Sequence, residues 1–205
     1  MKRLFFLVIL STVFCFSCVH HTKYIHGGCC LSHGTLVRLS NGKDILIENL
    51  KAGDTVLAYD RVKDHFVPAR VLKMYQTEHD GFLKLNFDSL SRNGVEVFKK
   101  TSIIVSKDHP IWIKDKGWCS SEPEMTKRIL MLKDVKQLQV GDFSYTNKDS
   151  SMQGFAGTTK LLSIEKIKEP VRAYTIVQLE NKLDCFIANG IVVGTEPMSV
   201  ESGGE

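Results

Sequence analysis

The 205-residue sequence predicts an all-β fold made of two pseudo-symmetric β subdomains, with at most one short helix. Three observations carry this reading. Short apolar and β-branched runs recur at even spacing, separated by Gly, Asn, Asp and Pro. The pattern Leu50-Lys51-Ala52-Gly53-Asp54 returns as Leu138-Gln139-Val140-Gly141-Asp142, and each copy is followed by an apolar strand, Val71-Leu72 and Leu161-Leu162. One stretch, residues 123 to about 133, reads as a helix, with Ser121 and Glu124 offering a capping-box pattern before it.

In chain order, residues 1–17 read as a signal peptide. Lys2 and Arg3 give the positive start, and residues 4–16 form an apolar run broken by Ser11 and Thr12. That run is shorter than the roughly 20 residues that cross a bilayer. Ser17 before Cys18 makes a cleavage junction. A small residue followed by cysteine is similar to the bacterial lipobox, in which that cysteine carries lipid, although Cys15 and Phe16 depart from the usual pattern. The expectation is an exported protein, either a lipoprotein held to a membrane through Cys18 or a plainly secreted one. Residues 18–28 form a polar tether with His20, His21 and His26, read as a solvated linker rather than a metal site. A folded domain over residues 29–195 and a polar tail over 196–205 complete the division.

Within the domain, strand 35–39 is closed by Ser40-Asn41-Gly42-Lys43, a hairpin signal, and returns as 44–47. Further strands are expected at 55–59, 69–75, 82–87, 95–98, 102–105, 111–113, 160–167, 172–179, 185–188 and 190–193. In the duplicated pattern, glycine supplies a turn dihedral closed to other residues, and aspartate caps nearby backbone N–H groups.

Composition excludes several classes. The formal net charge is +4, and removing Lys2 and Arg3 with the signal leaves +2, so charge selects no partner. No basic stripe is interleaved with aromatics, which gives nucleic-acid binding no support. Of six cysteines, Cys15 leaves with the signal and Cys18 is the lipidation candidate; Cys29, Cys30, Cys119 and Cys185 remain. They have no CxxC metal spacing and are too few for a disulfide-stapled miniprotein. No cofactor is implied.

The segment Cys30-Leu31-Ser32-His33-Gly34-Thr35-Leu36-Val37 resembles the opening of Hint domains, the self-processing fold shared by inteins and the C-terminal part of Hedgehog proteins. The resemblance continues in order. It takes in Asn41-Gly42, the stretch from Ile47 to Ala58, Ser106-Lys107-Asp108-His109-Pro110-Ile111, Gly117-Trp118, and the segment from Leu138 to Asp142. It closes with the stretch from Tyr174 to Val177 and the one from Phe186 to Val193, so that it covers about residues 29 to 195. What it implies is a horseshoe of two β subdomains with Cys30 as nucleophile, attacking the preceding Cys29–Cys30 peptide in an N-to-S acyl shift. A thiol suits this because its thiolate both attacks and leaves readily. The resemblance assigns His109 as the acid for the departing nitrogen and Ser106 as a support of the scissile peptide. Cys29, Asp108 and Cys185 are accessory candidates, with a Cys30–Cys185 disulfide within the pattern, and Cys119 reads as structural. Counting from Gly34-Thr35 puts Cys30 first, with Cys29 as the alternative.

The departures narrow the chemistry. Val193 is followed by Gly194-Thr195-Glu196 in place of the intein's terminal His-Asn and nucleophile, so full splicing is not expected. Asn189 is read as a turn residue. Thr175 stands where many inteins have an acidic residue, and too few residues follow Thr195 for a sterol-binding region. The expected function is single-turnover autoproteolysis of the chain's own N-terminal peptide, the thioester at Cys30 being resolved by water or a thiol. Against it stand a degenerate Hint fold kept as a surface or binding module and, more remotely, a metal-binding lipoprotein using the tether histidines with Cys29-Cys30.

Overall fold

The computed structural model describes residues 28–88, 90–92, 95–98, 100–147 and 156–196. Residues 1–17, read as a signal peptide, with Cys18, the tether histidines and the tail beyond Glu196, lie outside them.

Among the described residues, fifteen strands form one continuous ladder, with a separate two-stranded ribbon of Leu90–Arg92 and Val95–Phe98. All pairings are antiparallel except the terminal one between Gly117–Ser120 and Lys136–Gln137. A ladder of this length curls under the accumulated twist of its strands. Here it folds back on itself as a horseshoe, with extra pairings joining Ile111–Ile113 to Phe143–Asn147 and Cys185–Ala188 to Ile191–Gly194.

The duplication is exact in its hydrogen bonds. Gly53 and Gly141 share φ 101°, which glycine alone adopts without strain. Gly53 N–H donates to Val71 O and Gly141 N–H to Leu161 O, both at 2.8 Å. Asp54 Oδ2 accepts from Lys51 N–H, and Asp142 Oδ2 from Gln139 N–H, again at 2.8 Å. Val71 and Leu161 then enter one shared apolar core, together with Phe87, Ile103, Ile176 and Phe186.

Strands Leu90–Arg92, Gly117–Ser120, Lys136–Gln137 and Phe143–Asn147 add to those expected, and two expected elements differ in extent. The strand predicted at 69–75 runs His65–His79 and keeps Pro68 inside it, opposite Leu57. Proline lacks the N–H a ladder needs, but the partner Val171–Leu179 begins pairing only at Val71, leaving one edge of the Pro68 segment unladdered. The helix is shorter than predicted, Pro123–Leu130, because Met131 turns left-handed at φ 52°. Its capping box does not form: Glu122 is the N-cap and no side chain caps the helix. The Ser121 and Glu122 N–H groups both donate to Lys107 O at 3.0 Å.

The position of the first strand, Leu31–Ser32, decides where chemistry can happen. Leu31 lies opposite Val105 on one side and Tyr174 on the other. Residues 29 and 30 therefore enter the domain between the ends of Thr101–Ser106 and Val171–Leu179.

Candidate active site

The Cys29–Cys30 peptide is gripped at both ends. Its N–H, on Cys30, donates to Ser106 Oγ at 3.0 Å, and its carbonyl, on Cys29, accepts from Thr175 Oγ1 at 3.0 Å. Cys29 itself has φ 57°, a left-handed conformation that costs a non-glycine residue about 1–2 kcal/mol. Both cysteines are 1 % exposed. The Cys30 thiol donates to Gly28 O at 3.2 Å, and the Cys29 thiol lies 3.7 Å from Asp108 O.

The Ser106-to-His109 segment is a tight turn closed by His109 N–H on Ser106 O at 3.0 Å. Helix Pro123–Leu130 clamps it, since buried Thr126 donates to Asp108 O at 2.8 Å. The structure thus brings Cys29, Cys30, Ser106, Asp108 and His109 together.

Burial sets the electrostatics. It pushes the Cys30 thiol up to about 12, with Glu196 and Asp108 adding to the rise and the Gly28 carbonyl opposing it. The Cys29 thiol is raised well above its ordinary value by burial, then by Asp108 and Glu196. His109 is 2 % exposed, and burial lowers it to about 3; the Cys29 backbone is the one group that opposes the shift. Neither ring nitrogen makes a hydrogen bond of ordinary geometry. At pH 7 the imidazole is therefore neutral, because desolvation disfavours its cation.

Two groups at the site were not among the catalytic candidates read from the sequence. Thr175, noted in the sequence only as standing where many inteins have an acidic residue, supplies the donor to the Cys29 carbonyl. Glu196, assigned to the polar tail, is 8 % exposed and turns inward. Its N–H donates to Ile176 O at 3.0 Å, next to Thr175, and burial followed by Asp108 raises its carboxyl to about 7. The signal for Thr175 was its place in the closing stretch of the resemblance, from Tyr174 to Val177; for Glu196 there was nothing local.

Other candidates lie elsewhere. Cys185 donates to Tyr59 O at 3.0 Å within a separate cluster of Leu57, Phe66, Trp118 and Val192, whereas Cys30 packs with Phe82 and Ala173. Cys29, Cys30, Cys119 and Cys185 are all free thiols, so the Cys30–Cys185 disulfide is not formed. Cys119 is buried in the shared core. Asn189 has both ends of its amide committed, Oδ1 accepting from Leu36 N–H at 2.7 Å and Nδ2 donating to Ser102 O at 2.8 Å. Among the described residues no group of three or more His, Cys, Asp or Glu converges as a metal set would, and no helix is long and apolar enough to cross a membrane.

Comparison with known proteins separates family from fold. The matching family model is the Ataxin-1 and HBP1 module (AXH), over residues 31–148, more than half of the chain, and not a Hint model. No curated protein matches the sequence. Among solved structures, the bacterial intein-like domain from Clostridium thermocellum superposes with a TM-score of 0.57 at 23% identity, covering 81% of this chain and 98% of that one. The DnaB intein from Synechocystis sp. gives 0.60 at 17%, covering 81% and 97%. The DnaX mini intein from Spirulina platensis gives 0.59 at 18%, covering 81% and 99%. At these identities the likeness is one of fold.

Proposed function

The chain belongs to the family of the Ataxin-1 and HBP1 module and has the intein, Hint-like fold, and from that footing we propose that it cleaves its own backbone at Cys29–Cys30. The family match begins at residue 31 and ends at 148. It holds Ser106, Asp108 and His109 but neither thiol nor Thr175, so the case for cleavage rests on geometry. The observation that carries it is the grip on one peptide bond: Ser106 on its nitrogen, Thr175 on its oxygen, and the left-handed Cys29 between them.

In the proposed reaction, Cys30 Sγ adds to the Cys29 carbonyl carbon. Thr175 donates to the oxygen as negative charge gathers there, an oxyanion-type contribution. That charge beside the His109 ring favours its cation, so the imidazole takes the thiol proton and passes it to the Cys30 nitrogen. The C–N bond then breaks, leaving a Cys29 thioester on Cys30 and a free amine. Addition of water gives the Cys29 carboxylate and regenerates the thiol. In the exported lipoprotein reading, which supplies Cys18 as anchor, this step frees the domain from a short lipidated peptide.

The test is intact-mass spectrometry of full-length protein held with and without a small thiol. Chain shortened at Cys29–Cys30 and accelerated by thiol is the expected result, with none from Cys30→Ala. A mass unchanged in both proteins refutes cleavage. One observation favours the second reading, a Hint-like fold kept as a binding module: the thiol is buried and its pKa stands near 12, far from the thiolate the chemistry needs.

A further inference from the structure

The Thr175 hydroxyl has one proton and two claimants. It donates to Cys29 O at 3.0 Å, and the Glu196 carboxylate is also within hydrogen-bonding reach of it. Glu196 Oε2 is buried without a hydrogen-bond partner of its own. Strand geometry fixes the arrangement, because Glu196 N–H is bonded to Ile176 O. We propose that Glu196 is a positioning residue acting through Thr175: protonated, it leaves the hydroxyl on the Cys29 carbonyl, and ionised, it draws the hydroxyl away. The proposal rests on the self-cleavage reading for its purpose but not for its geometry.

A carboxylate competes better than an amide oxygen for one hydroxyl proton, since bonds to a charged acceptor are the stronger. Once protonated, the carboxyl loses that advantage and can itself donate to Thr175 Oγ1, polarising the hydroxyl toward Cys29. The titratable groups that face it are Asp108, from the turn after Thr101–Ser106, and the Cys29 and Cys30 thiols. Both thiols and the His109 ring, near 3, titrate far from the midpoint of about 7 raised for Glu196. Autoproteolysis then strengthens below neutrality through the carbonyl donor.

The test uses full-length Cys30→Ala protein, which keeps the peptide bond intact, with a 13C label at the Cys29 carbonyl. The expected carbonyl shift titrates with a midpoint near pH 7 and goes flat in the added Glu196→Gln and in the added Thr175→Val. Asp108→Asn keeps the titration and moves its midpoint down. A flat profile in the parent protein, or one that survives Glu196→Gln, overturns the proposal. An uncleaved wild-type chain at every pH, with this titration present, sinks the cleavage reading and leaves the Glu196–Thr175 coupling standing.

Discussion

Ser106 and Cys30 are joined twice: the Cys30 N–H donates to Ser106 Oγ at 3.0 Å, and the Ser106 N–H donates to Cys30 O at 2.9 Å. The second bond joins backbone to backbone and does not depend on either side chain; the first exists only with a hydroxyl. The two can therefore be separated. Ser106→Ala is expected to fold normally while losing about 1 kcal/mol at the scissile nitrogen, slowing cleavage roughly fivefold to tenfold. Quantifying the cleaved fraction over time by mass spectrometry checks this, and Ser106→Thr restores most of the rate. An unchanged rate in the alanine variant removes Ser106 from the site.

In the proposed cleavage Thr175 carries a larger share, because its donor points at the carbonyl oxygen on which that reaction gathers charge. Thr175→Val keeps the shape and removes the O–H. Loss of one such donor is expected to slow the acyl shift by about 100-fold. The same variant leaves the carbonyl of Cys29 buried without that partner, which lowers stability by about 1–3 kcal/mol. Urea melts run alongside the cleavage time course separate the two effects, and Thr175→Ser recovers the rate.

How much of this was legible in the sequence depends on how far apart the cooperating residues lie. The LxxGD pair was readable because each copy is closed by local bonds over three residues, and the structure repeats them bond for bond. Cys30, Ser106 and His109 were readable as members of ordered motifs. Thr175 was seen at its place but not as a donor, since a hydroxyl bond to residue 29 depends on a register 146 residues away in sequence. Glu196 was invisible because a lone glutamate in a polar end gives no period or motif, and its burial follows from the pairing of Ile191–Gly194. The neutrality of His109 was also out of reach, for burial is a property of packing.

His109 gives a prediction on stability against pH. Its folded pKa is lowered to about 3 from an ordinary 6.5. The unfolded chain then binds a proton that the folded one refuses between those values. The stabilisation is complete above about 6.5 and is lost as pH falls toward 3. By pH 4 the loss is on the order of 3 kcal/mol. Glu196 works in the opposite sense: its folded pKa is raised to about 7 from 4.5, so its contribution is complete below 4.5 and is lost as pH rises through 7. In the uncleavable Cys30→Ala background, His109→Gln is expected to flatten the acid limb of the urea midpoint, and Glu196→Gln the limb between pH 4.5 and 7. An acid limb unchanged by His109→Gln means that the ring is solvated in the folded state.

Gly194 supplies the last test, of packing behind the site. A Cβ there would stand 2.5 Å from Pro110 Cγ and 3.3 Å from the Trp118 ring. Its N–H is also bonded to Pro110 O at 2.9 Å, so the strand cannot back away without breaking that bond. The pyrrolidine ring is stiff and follows His109 directly in the chain, which leaves the strain nowhere to go except into the turn or into Thr195-Glu196. Overpacking of this kind costs about 1–3 kcal/mol. Gly194→Ala is accordingly expected to lower the thermal midpoint by several degrees and to slow cleavage beyond what its lost stability explains, whereas Gly42→Ala, at a hairpin turn far along the chain from the site, alters stability alone. Equal cleavage rates for the two variants at matched stability would show that the contact between Pro110 and Gly194 does not hold the Ser106-to-His109 turn.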